Sequence, residues 1–132
     1  ADGKLFVHIF CHRTLLYPVE TEGEGNWMGR HFFTGGLMPA ADTLLWFQDT
    51  LRIDDRWLLD GTHYERTANH WLANQDARHD EVMAILREAY GDAAKLWFQR
   101  WRMFWMACAE LFGYDHGREW MVAHYRFTKE AT

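Results

Sequence analysis

At 132 residues, with 48% hydrophobic residues, 17% aromatic residues and 8 Trp, the chain can build one packed core but is too short for two, which excludes a disordered segment. Its net charge of −5, from 14 Lys and Arg against 19 Asp and Glu, comes without a basic run and leaves no electrostatic footprint for nucleic acid. Two cysteines, Cys11 and Cys108, do not make a disulfide framework, and no apolar run reaches the roughly 18 residues that cross a bilayer, so a reduced, cytoplasmic setting is expected.

The opening Ala1-Asp2-Gly3-Lys4 has no initiator Met and leads at once into a strand, which reads as a cut inside a longer chain. Leu5 to Cys11 is a nearly unbroken apolar run, the pattern of a strand buried on both faces in the middle of a sheet. Tyr17 to Gly25 turns to Pro, Glu, Thr and Gly, a loop, and Asn26 is placed to cap a short helical turn through Trp27, Met28 and Arg30. This cap segment extends over about residues 13–38. After Thr34-Gly35-Gly36, the spacing of Leu44, Leu45, Phe47 and Leu51 behind Pro39 predicts a helix over Pro39 to Leu51. Ile53 to Asp60 follows as a second strand ended by Gly61.

Helical periodicity then runs from Tyr64 to Tyr90, with a polar middle from Asn74 to Asp80 suited to a kink or break and Gly91 as its stop. A second long helix, capped by Asp92, reaches Phe112 and is apolar around most of its circumference. Glu119 to Lys129 alternates as a third strand. The predicted class is α/β, three strands with a helical cap and two long helices.

Four blocks in register carry a resemblance: Phe6-Val7-His8-Ile9-Phe10-Cys11-His12, Phe32-Phe33-Thr34-Gly35-Gly36-Leu37-Met38-Pro39, Trp57 through Tyr64, and Ala109-Glu110-Leu111-Phe112-Gly113. Together they resemble the C-terminal half of the cyclopropane-fatty-acid-synthase-like S-adenosylmethionine-dependent methyltransferases. The ending Glu119-Trp120-Met121-Val122-Ala123-His124-Tyr125 is similar to that of the coclaurine N-methyltransferase-like branch. The resemblance implies part of a class I, Rossmann-like methyltransferase sheet, in which the last strand lies antiparallel between the other two. It also implies that residues 1–132 form the acceptor side of the domain, because the Gly-rich turn that would bind S-adenosylmethionine is absent.

By the same resemblance His8 and Tyr64 are the candidate catalytic residues, His8 as a proton carrier and Tyr64 as a hydroxyl in the acceptor pocket. Trp27, Phe32, Phe33, Met38 and His63 are the candidate substrate-binding residues. The implied partner is a small-molecule amine or, as the alternative, a lipid alkene. S-adenosylmethionine serves the complete enzyme, and bicarbonate acts as base in the fatty-acid branch. Read without the resemblance, His8 is a core histidine and the aromatic residues are plain core. Eight histidines invite a metal, but neither a His-Glu-x-x-His nor a Cys-x-x-Cys occurs. The exposed apolar edge expected beside the first strand would make a separately folded chain self-associate, as a homo-oligomer or a non-catalytic module.

Overall fold

A computed structural model describes residues 3–129, so the reading of Ala1 and Asp2 as a cut lies outside the described residues. Strand β1 (Lys4–His12) is followed by a two-residue strand β2 (Tyr17–Pro18), a one-turn helix α1 (Trp27–His31) and a short β3 (Leu37–Met38) that pairs with β2. Then come β4 (Leu51–Leu59), α2 (Thr62–Ala77), α3 (His79–Tyr90), α4 (Ala94–Gly113) and β5 (Trp120–Lys129). The main sheet has the order β1-β5-β4, and β5 is antiparallel to both neighbours, with His8 opposite His124 and Trp57 opposite His124 on the other side. The last strand therefore lies in the middle, as the resemblance implied.

Strand alternation divides the sheet into two faces. One face carries Cys11, Met121, Ala123, Tyr125 and Phe127, which pack with Ala41, Leu44 and Ile53. The Tyr125 hydroxyl is deeply buried there and donates to the Ala41 carbonyl at 2.6 Å. The other face carries Phe6, His8, Phe10 and His12 of β1 and is covered by helices only at the Phe10 end. α2 packs along α4, and α3 turns back against α4 through Met83, Leu86, Ala94 and Phe98.

The break anticipated in the polar middle of the first long helix falls at Arg78, whose φ of −109° and ψ of 35° leave the helical region between α2 and α3. Asp80 and Glu81 in the first turn of α3 suit the positive end of its dipole, and Gly91, at φ 53°, ends it.

Four expectations need correction. The helix over Pro39 to Leu51 is not formed: only Thr43–Trp46 makes a 3-10 turn, and Leu51 already belongs to β4. The cause is competition for backbone groups. His12 donates its N–H to the Pro39 carbonyl and accepts from the Ala41 N–H, both at 2.9 Å, while the Ala40 N–H takes the Thr43 hydroxyl. Anchored in this way to the end of β1, the segment has no free groups to start an α-helical ladder, and Trp46 and Phe47 are left exposed.

β1 is also not buried on both faces. It is an edge strand of the main sheet among the described residues, with Leu5, Phe6 and His8 exposed. α4 is less enclosed than its composition suggested, since Leu96, Met103 and Met106 face outward. Neither Asn26 nor Asp92 caps its helix through its side chain; Asp92 sits in a 3-10 turn, Gly91–Ala93, ahead of α4.

The turn from β4 into α2 meets the turn from α4 into β5 backbone to backbone, with the Gly61 N–H donating to the Gly117 carbonyl at 2.8 Å. A Cβ on Gly61 would be driven into the carbonyl oxygens of Phe112 and Trp120, and Gly117 has a φ of 74°. Gly61→Ala is therefore expected to destabilise the protein by about 3 kcal/mol and to lower the melting temperature by roughly 10 °C. Gly25→Ala, which meets nothing within 4 Å, should leave it unchanged; thermal unfolding by circular dichroism checks both.

Candidate functional site

Helical spacing brings aromatic side chains of α2 and α4 onto facing stripes: Tyr64, Ala68 and Trp71 on one helix, Trp101, Phe104, Trp105, Cys108 and Phe112 on the other. The two stripes do not close. Between them, roofed by Phe33 and Met38 of the cap and floored by Phe10 of β1, lies a cavity of about 360 Å³, within the range of small-molecule sites of about 300–1,000 Å³.

The walls are held by rings packed edge to face, the arrangement that aromatic quadrupoles favour. Tyr64 stands at 4.7 Å and 71° to Phe112, and Phe33 lies 6.1 Å from Phe10 and 5.8 Å from Phe104. One polar side chain orients the far wall. Buried Gln75 donates from Nε2 to the Phe98 carbonyl at 3.0 Å and accepts the Trp105 indole N–H at 2.9 Å, which pins the Trp105 ring across the α2–α4 interface.

No charged residue lines this cavity. Its polar side-chain groups are the Tyr64 hydroxyl, the Cys108 thiol and the indole N–H groups of Trp71, Trp101 and Trp105, the last already engaged by Gln75. Burial, and then the neighbouring Cys108, raise the Tyr64 pKa above the ordinary tyrosine value. Burial alone pushes the Cys108 thiol up to about 11. Tyr64 is thus a protonated hydroxyl at neutral pH, suited to donating a hydrogen bond, and Cys108 is an unreactive thiol.

Of the residues singled out in the sequence, Tyr64, Phe33 and Met38 line the cavity together. Phe32 stands behind the wall, packed on Phe104 at 4.4 Å and Trp101 at 4.9 Å, and Trp27 stacks outside it on Phe32 and His31. His63 points to solvent, with Nε2 3.8 Å from Asp60. His8 is not part of the lining; it lies on the same sheet face as Phe10, two residues toward the open end.

There His8 has a partner that the sequence did not suggest. Its Nδ1 is 2.7 Å from Nε2 of His124, directly opposite on β5, and the Phe6 ring packs against His124 at 5.1 Å. In such a contact one nitrogen donates and the other accepts, so at least one of the two rings is neutral. Desolvation, and then the charge of His8, lower the His124 pKa below 6.5. Period-two alternation placed His124 and His8 on strand faces, but their register required the sheet. The α4 aromatics stand at three- and four-residue spacing, the pattern of a core face, and periodicity does not distinguish a filled interface from a lined void. Among the described residues no group of three or more His, Cys, Asp or Glu is arranged to hold a metal ion, and no helix is long and apolar enough to cross a membrane.

No family model matches the chain. Over 98% of its length it is 39% identical to (S)-coclaurine N-methyltransferase of Papaver somniferum and 36% identical to that of Thalictrum flavum subsp. glaucum. Those matches span 38% and 37% of the relatives' own lengths. Among solved structures, that of a coclaurine N-methyltransferase bound to N-methylheliamine and SAH superposes with a TM-score of 0.83 at 35% identity, covering 96% of this chain and 38% of that one. A cyclopropane synthase from Mycobacterium tuberculosis shares the fold, with a TM-score of 0.70 at 19% identity over 97% of this chain and 45% of that one.

Because His124 is harder to protonate folded than unfolded, the folded state binds fewer protons as pH falls past 6.5, and stability should decline there. The melting temperature is expected to drop between about pH 7.5 and 5.5, and His124→Gln should flatten that part of the profile. An unchanged profile in the variant would remove the imidazole pair as its cause.

Proposed function

We propose that this chain, whose homologues are the coclaurine N-methyltransferases, is the acceptor-binding part of an S-adenosylmethionine-dependent methyltransferase that methylates a small-molecule amine. The carrying observation is the cavity between α2 and α4: apolar and rich in aromatic rings, free of charged residues and fitted with one hydroxyl donor. Such a site takes up the apolar body of an amine. Charged residues would instead hold the amine as a solvated ammonium, which has no lone pair to offer.

The described residues themselves make no cradle for S-adenosylmethionine. β1 leads into a loop and the β2–β3 cap, and none of its turns is a Gly-rich passage from strand to helix. What this chain's residues do is position the acceptor, exclude water and manage a proton. The Tyr64 hydroxyl orients the acceptor by donating to it. His8, whose Nδ1 lies 2.7 Å from Nε2 of His124, takes up the proton that the nitrogen must lose to become nucleophilic. No Lys or Arg lines this cavity to hold a bicarbonate. A lipid alkene is the weaker reading, because the relatives at 36–39% identity are N-methyltransferases.

The test is turnover by the full-length enzyme with aromatic secondary amines and, in parallel, unsaturated phospholipid vesicles. Methylation of amines alone is expected. Phe33→Ala should raise KM by about tenfold, and Tyr64→Phe should lower kcat/KM by about tenfold. His8→Ala should lower kcat by about 10²-fold with little change in KM. Modification of the phospholipid alone would overturn the proposal.

A further inference from the structure

A second cavity, of about 680 Å³, opens on the other side of Leu111, where the end of α4 meets the starts of β2 and β5. Three aromatic rings frame it: Tyr17, Tyr114 and Trp120. The Trp120 indole donates to the Tyr17 hydroxyl at 2.9 Å, the Tyr114 ring stands 5.8 Å from Trp120 at 71°, and the His12 ring, also part of the lining, packs 5.2 Å from Trp120 at 79°.

Two carboxylates complete the lining, Glu119 and Glu110, and neither Lys nor Arg is part of it. Glu110 is exposed on α4 and pairs with no cation among the described residues. Glu119 accepts from Nε2 of His12 at 2.9 Å. That contact is a hydrogen bond from a neutral imidazole, because His12 Nδ1 accepts the Thr14 and Leu15 backbone N–H groups at 3.0 and 2.8 Å and so carries no proton. The Glu119 charge is therefore not neutralised by His12. Arg13 approaches it at 3.7 Å from outside the cavity, with a side chain more than half exposed, a contact of the kind that contributes little.

Tyr114 is held in place although 61% exposed. The turn after it runs through Asp115 and His116 at φ values of 47° and 57°, and Arg118 ties that turn down by donating to the Asp115 carbonyl and carboxylate at 3.0 and 2.7 Å. The ring is thus presented to the opening and not packed away.

We propose that this cavity binds a small organic cation, an alkylammonium group, at a site separate from the aromatic cavity. An anion would meet two carboxylates, and a neutral apolar ligand would desolvate them without return. An alkylammonium satisfies both features, with its charge over the electron-rich ring faces and near the acids, and its methyl groups against Ala107 and Leu111. The assignment does not depend on the methyltransferase reading.

Calorimetric titration of the purified protein with choline tests it, set against the neutral isostere in which a tert-butyl group replaces trimethylammonium. Choline should bind with a dissociation constant on the order of 1 mM and the isostere at least about tenfold more weakly. Tyr114→Ala and Glu110→Gln should each weaken choline by roughly fivefold. Both residues are exposed, so circular dichroism should show both variants folded; if Tyr114→Ala is not, Glu110→Gln decides alone. Equal binding of the isostere, no heat at about 50 mM choline, or full affinity in a folded variant would overturn the proposal, the last by placing choline in the aromatic cavity.

Discussion

Everything that positions the aromatic cavity depends on the contact between Gly61 and Gly117. Here two chain reversals, one entering α2 and one leaving α4, approach closely enough for a backbone hydrogen bond of 2.8 Å. Side chains would hold these reversals apart, as the Phe112 and Trp120 carbonyls crowd the place of a Gly61 Cβ. With the two turns locked, the first turn of α2 lies beside the last turn of α4, and Tyr64 is carried against Phe112. The same contact ties both helices to the ends of β4 and β5, so the cavity walls and the sheet form one rigid frame.

Within that frame the two sides of α4 serve different chemistry. Its Trp101, Phe104, Trp105 and Cys108 side faces an apolar, uncharged space, whereas its Ala107, Glu110 and Leu111 side faces an open, acidic one. Leu111 contributes to both. The low polarity of the first space is also what raises the Tyr64 and Cys108 pKa values, since removing water penalises the ionised form of each. Aromatic lining and a protonated tyrosine are therefore two consequences of one packing arrangement.

The His8 and His124 pair belongs to the opposite, more open end of the same sheet face. β1 has no strand on its outer edge among the described residues, and Phe6 and Trp57 flank the imidazoles without covering them. An imidazole pair in partial contact with solvent can exchange protons with water, whereas one sealed in the core could not.

Much of this was legible from residues alone. The apolar run of β1, the alternation of β5, the break near Arg78 and the stops at Gly61 and Gly91 are local signals, carried by side-chain period and backbone freedom. The four motif blocks point to the methyltransferase relatives, and Tyr64, Phe33 and Met38 stand in or beside those blocks. Other features were decided only in three dimensions. The segment after Pro39 has helical spacing, yet its backbone groups are taken by His12, a partner distant in sequence. The α4 aromatics look the same in sequence whether α2 fills the space beside them or leaves a cavity. The pairing of His8 with His124 and the meeting of Tyr17, Tyr114 and Trp120 with Glu110 and Glu119 along one cavity follow from strand register and helix placement. Periodicity states which way a side chain faces on its own element, and only the packing of elements determines what it meets.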